Sequence, residues 1–263
     1  MSSPRIAYLS DVPTRARLNG VEMVGRLGLG YLGQVFSAAE ILTAIMGRYV
    51  RTGQDRFVLS PSHYVTAMYA VAVELGQLDR QTLNSYGADG SALETIGSER
   101  TPVVDFTCGS LAQGLSVGIG YALANRLAGR GARTVVFGSD GEMEEGQTWE
   151  AAMFAAHHGL QHLTLVLDCN DSQVDGPVSF VTTIEPLVDK WRAFGWHAIE
   201  VDGHDLGELT DALDQVVDQP KVIVARTTAT AGLDALEGVD DAHFIKVDGE
   251  LGDSLSAELE RRL

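Results

Sequence analysis

Residues 134–176 read TVVFGSDGEMEEGQTWEAAMFAAHHGLQHLTLVLDCNDSQVDG, and their pattern predicts the fold of the chain. Residues 134–137 and 163–167 are short apolar runs, typical of parallel strands that helices cover on both faces. Residues 147–158, between these runs, are predicted to form a helix. A strand, a helix and a second strand in this order predict a βαβ unit in a parallel sheet.

The rest of the chain continues the same alternation. Further strands are predicted at 197–201 and 222–225. Further helices are predicted at 37–49, 61–75, 111–127, 184–194 and 206–217. Ser60 is expected to cap the second of these helices, and Gly129 is expected to end the third. We therefore expect a single α/β domain over 1–263, a doubly wound parallel sheet with helices on both faces.

The composition restricts the class of protein. The chain has 36 acidic and 19 basic residues and a net charge of −17, which argues against nucleic acid or an anionic membrane as a partner. No run approaches the ~20 apolar residues that cross a bilayer. Residues 1–5 lack a following apolar signal core, so a cytoplasmic protein is expected. Cys108 and Cys169 are expected to be reduced thiols.

Two polar loops follow predicted strands, at the edge of the sheet where doubly wound folds bind ligands. The first contains Asp140 and Gly141, and the second contains Asn170. An Asp between a strand and a helix can bind a metal while backbone N–H groups face phosphate oxygens. With an amide oxygen and a backbone carbonyl it would provide the oxygen ligands of Mg²⁺, and Ca²⁺ would fit a looser site. An Asp-Gly pair alone is more often a turn, so the prediction depends on both loops together.

Residues 138–176 closely resemble the thiamine pyrophosphate motif of the transketolase family, which begins with Gly-Asp-Gly and ends with Asn. The runs EGQTWEAA and NDSQVDG are similar to transketolases rather than to thiamine enzymes in general. The resemblance continues in four other segments, residues 37–42, 55–63, 101–114 and 194–205. It implies the thiamine diphosphate-binding fold of the pyrophosphate-domain type.

The resemblance also implies which residues form the site. The metal would be bound by Asp140, Asn170 and the Ser172 carbonyl. The cofactor, thiamine pyrophosphate, would contact Asp140 and Asn170 as well as Gly109, Ser110, Leu111 and Gly141. The catalytic residues would be His63, Glu145 and His243, of which His243 has the poorest flanking match. Glu145 and Glu150 match acids that lie between the two cofactor sites of a transketolase dimer.

The chain matches only the pyrophosphate-binding half of a transketolase. Thiamine chemistry needs a glutamate that activates the aminopyrimidine ring, and in the family the other half supplies it. We therefore expect a separate pyrimidine-domain subunit, an α2β2 assembly, and no activity of this chain alone. The expected reaction moves a two-carbon ketol unit from a ketose phosphate to an acceptor.

Two departures from the family pattern affect the expected substrate. Tyr31 and Thr95 stand where the family has histidines that handle sugar hydroxyls and proton transfers. The acceptor is thus either a sugar or, in a specialised biosynthetic enzyme, a non-sugar such as a carrier-protein thiol. Two other functions are possible for the chain. It could be one half of a 2-oxo acid decarboxylase or dehydrogenase, or a non-catalytic module derived from a transketolase.

Overall fold

A computed structural model of the protein describes residues 6–239 and 242–263. The described strands are β1 Leu29–Gly30, β2 Arg56–Pro61, β3 Phe106–Cys108, β4 Thr134–Ser139, β5 Leu163–Cys169, β6 His197–Asp202, β7 Lys221–Arg226 and β8 Ile245–Lys246. The described α-helices are α1 Val12–Leu27, α2 Leu32–Ala44, α3 Val65–Glu74, α4 Arg80–Leu83, α5 Gln113–Leu127, α6 Gly146–His157, α7 Val178–Val181, α8 Leu187–Ala193, α9 Leu206–Asp214 and α10 Gly249–Glu260. A π-helical turn, Ile45–Tyr49, continues α2.

Six strands form one sheet in the order β3-β2-β4-β5-β7-β6, and all neighbours are parallel. The chain passes from β2 to the edge strand β3, crosses back to β4 and continues through β5 toward the other edge, so the winding direction reverses between β2 and β4, as in a doubly wound sheet. The predicted fold is therefore confirmed. Within the two described ranges, no helix combines the length and the apolar character that crossing a membrane requires.

Each face of the sheet packs against its own layer of helices. One core contains α1, α2, α3, α9 and α10 with Val135 and Phe137 of β4. The other contains α5, α6 and α8 with Val136 of β4 and the large rings of Trp191 and Trp196. Alternate side chains of a strand point to opposite faces, so a strand covered on both sides is apolar throughout. Every residue of β4 and β5 is buried, which explains the apolar runs in the sequence.

The structure corrects several predicted boundaries. Ser60 does not cap a helix: it lies in β2, and α3 begins at Val65 after a short turn. The predicted helix 111–127 begins only at Gln113, because Ala112 has a left-handed φ of 64°. The helix predicted from residue 184 begins at Leu187, since Pro186 disfavours helical backbone before it. The helix predicted to reach residue 217 ends at Asp214, where the chain becomes extended.

A small antiparallel ribbon, β1 with β8, lies apart from the main sheet. Leu29 pairs with Lys246 and Gly30 with Ile245. Next to the ribbon, Gly33 of α2 lies so close to the Ala242 carbonyl that a Cβ at position 33 would be 1.9 Å from that oxygen. The ribbon therefore fixes the segment after residue 242 against the start of α2.

Candidate active site

Asp140 and Asn170 lie side by side at the carboxyl edge of the sheet, because each follows one of two adjacent strands. Ser139 of β4 pairs with Asp168 of β5, which places the two loops next to each other. The carboxylate of Asp140 is 3% exposed. Its two oxygens accept hydrogen bonds from the N–H groups of Gly141 (2.9 Å) and Asp171 (2.7 Å). These donors hold the carboxylate at the loop junction and leave lone pairs on both oxygens.

A second buried carboxylate, Asp168, lies behind Asp140. It accepts hydrogen bonds from Ser37 Oγ (2.5 Å), Tyr64 OH (2.9 Å), Asn170 Nδ2 (3.2 Å) and the Thr227 hydroxyl. Burial raises the pKa of Asp168. Burial and the nearby Asp168 charge together raise the pKa of Asp140 to about 7. Two buried acids with raised pKa values favour a cation beside them.

Asn170 and Ser172 present further oxygens near Asp140. The Nδ2 group of Asn170 donates to the Asp168 network, so its Oδ1 turns away and accepts from Ser172 N at 2.9 Å. The Ser172 carbonyl lies 3.2 Å from His243 Nδ1, which also lies 2.8 Å from the amide of Gln34. The Gln34 nitrogen only donates hydrogen bonds, so this shorter contact makes Nδ1 of His243 an acceptor.

Glu142 joins three segments at the base of the site. It is 2% exposed, and it accepts hydrogen bonds from Ser60 Oγ (2.5 Å), Ala112 N (2.7 Å) and Ser139 N (3.2 Å). The hydroxyl of Ser60 in turn accepts from Gly114 N. Burial raises the pKa of Glu142 to about 7. One side chain thus fixes β2, β4 and the loop before α5 relative to each other.

A cleft of about 420 Å³ opens above these residues. Eight of the residues predicted from the sequence line it: His63, Gly109, Leu111, Asp140, Gly141, Glu145, Ser172 and His243. Asn170 does not line this cleft. With Ser172, it borders an adjoining cavity of about 380 Å³. Ser110 is exposed next to the cleft, and Ile96 rather than Thr95 lines it. Glu150 is exposed on α6.

Aromatic rings form one wall of the cleft. The ring of Tyr31 contacts those of His63, His243 and Phe244, with centroids 5.1, 5.7 and 5.0 Å away. The rings of His63 and His243 are 5.2 Å apart. Burial, with a smaller contribution from His243, lowers the pKa of His63 to about 3. His63 is therefore neutral at pH 7, and its unprotonated ring nitrogen can accept a hydrogen bond.

The residues around the cleft suit a metal-bound diphosphate. Asp140, Asn170 and Ser172 offer a carboxylate, an amide and a carbonyl oxygen, which are ligands that Mg²⁺ and Ca²⁺ prefer. A Cβ on Gly141 would meet no atom within 4 Å, and one on Gly109 only Ile96 at 4.0 Å. Both glycines therefore leave open space in which a ligand can approach the backbone.

Sequence reasoning missed three residues that hold the site together. Asp168, Tyr64 and Glu142 are buried and hydrogen-bonded, and none was predicted. For Asp168 the signal was an acid inside the apolar strand LTLVLDC, since a buried acid needs partners. No comparable signal marked Tyr64, because its role depends on a strand more than one hundred positions away in sequence.

Comparison with known proteins gave consistent matches. The family described as "Transketolase, thiamine diphosphate binding domain" matches residues 11–250. A putative uncharacterized transketolase family protein, y4mO of Sinorhizobium fredii, is 36% identical over 93% of both chains. The 6-deoxy-6-sulfo-D-fructose transketolase subunit SqwG of a Clostridium species is 36% identical over 92% of both. A subunit of the apulose-4-phosphate transketolase of Phocaeicola vulgatus is 31% identical over 89% of this chain and 87% of its own.

Solved structures share the fold. Transketolase from Campylobacter jejuni superposes with a TM-score of 0.88 at 24% identity, over 96% of this chain and 43% of its own. A transketolase variant from Pichia stipitis, in complex with fructose 6-phosphate, gives 0.85 at 25% identity, over 95% of this chain and 40% of its own. The chain therefore spans about two fifths of these longer transketolases.

Proposed function

Because this chain belongs to the transketolase family, we propose that it is the diphosphate-binding subunit of a thiamine-dependent enzyme. This enzyme transfers a two-carbon ketol unit from a ketose phosphate to an aldehyde acceptor. The observation that carries the proposal is the pair of adjacent strand ends, where Asp140 and Asn170 meet beside an open cleft. The family match covers this whole region.

The site residues have distinct roles in this proposal. Asp140, Asn170 and the Ser172 carbonyl would bind Mg²⁺, and Ca²⁺ would fit the same oxygen ligands. The backbone from Gly109 to Leu111, with Gly141, would contact the diphosphate. Thiamine diphosphate supplies the carbon nucleophile when it is bound. His63, which is neutral at pH 7, and His243 would bind the substrate hydroxyls and take part in proton transfer there.

A second chain completes the proposed enzyme. Two relatives of similar length are named as subunits of sugar transketolases, which supports a separate partner. We infer that a pyrimidine-domain chain covers the cleft, supplies the activating glutamate and forms an α2β2 assembly in the cytoplasm. The names of these relatives favour sugar substrates over a carrier-protein thiol or a 2-oxo acid.

A reconstitution assay tests the proposal. The chain is purified alone and together with a pyrimidine-domain partner, and erythrose 4-phosphate released from fructose 6-phosphate is measured with a sugar acceptor present. We expect no release by the chain alone, release by the pair, and loss after metal chelation that added Mg²⁺ reverses. Equal activity of the chain alone, or CO₂ release from pyruvate by the pair, would contradict the proposal.

A further inference from the structure

A separate cavity lies at the opposite edge of the sheet from the candidate active site. It has a volume of about 960 Å³, and its lining includes residues that directly precede or begin strands β4, β5, β6 and β7. We propose that this cavity, called here the amino-edge basin, binds a small sugar phosphate whose phosphate group is held by Arg51 and Arg133. The inference goes beyond the proposed function, because the six residues of β4 separate the basin from Asp140 by about 20 Å.

Two arginine side chains of the basin are fixed by one buried carboxylate. Asp55 is 3% exposed, and its Oδ2 accepts hydrogen bonds from Arg51 Nε and from Arg133 Nη2, each at 2.9 Å. Arg51 Nη2 also donates to Asp55 Oδ1 at 2.7 Å, and the guanidinium of Arg133 lies 4.1 Å from the centre of the Tyr49 ring. Both guanidinium groups are therefore held in place before a ligand arrives, which reduces the entropic cost of binding.

This cluster keeps an excess of positive charge and free donors. Burial raises the pKa of Asp55, but hydrogen bonds from Arg51 and Arg133 outweigh burial and hold that pKa below its ordinary value. Two positive charges therefore remain against one negative charge at pH 7. Among the described residues, no hydrogen-bond acceptor is observed for Nη1 of either arginine. Two guanidinium groups bound to the same carboxylate oxygen are close enough to bind one phosphate, whose oxygens suit their paired N–H donors.

The carboxyl end of α9 would repel an anion in the basin if it were left uncompensated. The side chain of Lys221 is buried, and its ammonium group donates to three carbonyl groups at this end of the helix. These are the carbonyls of Ala212, Leu213 and Gln215, at 2.9, 2.7 and 2.9 Å. A cation in this position offsets the negative end of the helix dipole, so the helix does not oppose anion binding.

The basin reverses the charge balance of the chain. Its described lining contains three Lys or Arg residues and two acids, whereas the chain has 19 basic and 36 acidic residues. Of the two acids, Asp214 accepts a hydrogen bond from Arg48 Nη1 at 2.8 Å, and Asp218 is exposed. A local excess of positive charge in an acidic protein attracts anions to this place.

Polar side chains line other parts of the basin. Among the described residues, no hydrogen-bond partner is observed for the side chains of Gln161, Thr164 and Gln219, all of which line it. Amide and hydroxyl groups both donate and accept, so they can bond to the hydroxyls of a sugar. The volume of the basin is in the range of small-molecule sites and exceeds what a phosphate ion fills. The basin therefore fits a sugar phosphate better than an inorganic anion.

Isothermal calorimetry with the whole chain tests the inference. D-glucose 6-phosphate, D-glucuronate and D-glucose are titrated at constant ionic strength. We expect saturable binding of glucose 6-phosphate, with at least about tenfold lower affinity for glucuronate and for glucose. Arg51→Ala should lower the affinity for glucose 6-phosphate about tenfold, because a hydrogen bond to a charged group is lost. Asp218→Asn should raise that affinity about twofold, because it removes a repelling charge.

Three further variants make the result decisive. Arg51→Lys keeps the charge without the paired donors and should bind glucose 6-phosphate about threefold more weakly than the wild type, which guards against misfolding of Arg51→Ala. Arg130→Ala removes an exposed arginine that does not line the basin, and Asp140→Asn changes the other edge of the sheet. Both should leave the affinity nearly unchanged. The inference is wrong if the wild type shows no saturable binding of glucose 6-phosphate, if glucuronate binds equally well, or if both Arg51 variants bind like the wild type.

Discussion

At the scale of single residues, the site is built around carboxyl groups that lie where water cannot solvate them. Asp140 and Asp168 are neighbours in a buried network, and Glu142 is equally buried below them. Backbone N–H groups and hydroxyls offset part of the charge, yet the pKa values of Asp140 and Glu142 still rise to about 7. A divalent cation beside Asp140 would offset the remainder, so metal binding and ionisation of Asp140 should be coupled.

The first prediction concerns Asp140→Asn. The variant keeps the shape of the side chain but removes the charge that would bind the metal. We expect metal-dependent affinity for thiamine diphosphate to fall at least about 100-fold by isothermal calorimetry, equivalent to about 2.7 kcal/mol. Asp175→Asn is the matched control, because Asp175 is an exposed acid on the same cleft and should leave affinity nearly unchanged. Unchanged affinity in Asp140→Asn would exclude Asp140 as the ligand.

The second prediction concerns Glu142→Ala. Removing this carboxylate leaves the Ala112 and Ser139 N–H groups and the Ser60 hydroxyl without their acceptor. We expect the free energy of unfolding in urea to fall by about 1–3 kcal/mol. Cofactor affinity should fall as well, since the loop before α5 loses its anchor. Glu99→Ala changes a glutamate whose side chain is 83% exposed and should be neutral in both measurements.

At the scale of elements, local pattern predicted most of the sheet. The strands β4, β5, β6 and β7 were identified, and the apolar runs of β4, β5 and β7 reflect burial of both faces of a parallel strand. The strands β2 and β3 and the ribbon were not identified. A ribbon of two residues per strand has no periodicity, and its partners are far apart in the chain. The candidate metal ligands Asp140 and Asn170 were predicted from strand ends and family resemblance, whereas Asp168 and Glu142 acquire their roles only through tertiary contacts.

The third prediction concerns the contact between the ribbon segment and α2. In Gly33→Ala the new methyl group would clash with the Ala242 carbonyl, so the segment carrying His243 must move. We expect the free energy of unfolding to fall by about 1–3 kcal/mol. In steady-state assays, kcat/KM for the acceptor should fall as well. Gly120→Ala in α5 is the control, because its Cβ meets no atom within 4 Å. That variant should be neutral or slightly more stable.

At the scale of the whole molecule, the raised pKa values make stability depend on pH. Folded Asp140 and Glu142 titrate near pH 7, whereas their ordinary pKa values are 3.8 and 4.5. Between these values the folded state binds more protons than the unfolded state, so stability falls as pH rises. The lowered pKa values of Asp55 and Glu40 act only at more acidic pH, because their pKa values lie below the ordinary range.

The fourth prediction follows from this balance. Without ligands, the free energy of unfolding in urea should decrease from pH 5 to pH 7.5, because the two acids outweigh the opposite effect of His63, whose pKa is lowered from 6.5 to about 3. The decrease should be less steep in Asp140→Asn. Mg²⁺ with thiamine diphosphate should restore stability at pH 7.5, by about 2.7 kcal/mol at a free concentration one hundred times Kd. If the free energy of unfolding rises from pH 5 to pH 7.5 in both the wild type and Asp140→Asn, the raised pKa of Asp140 is contradicted.

The ribbon has a consequence for how the protein reaches its working form. His243 faces Gln34 across 209 positions of sequence, and the pairing of β1 with β8 spans a similar distance. Contacts between such distant positions close large loops and form late in folding. During synthesis, α2 and the first strands emerge long before residue 246, so a nascent chain cannot yet present the aromatic wall. Cofactor capture therefore belongs to the completed polypeptide, because a chain that ends before β8 lacks both the ribbon and the helix α10 that packs in one core.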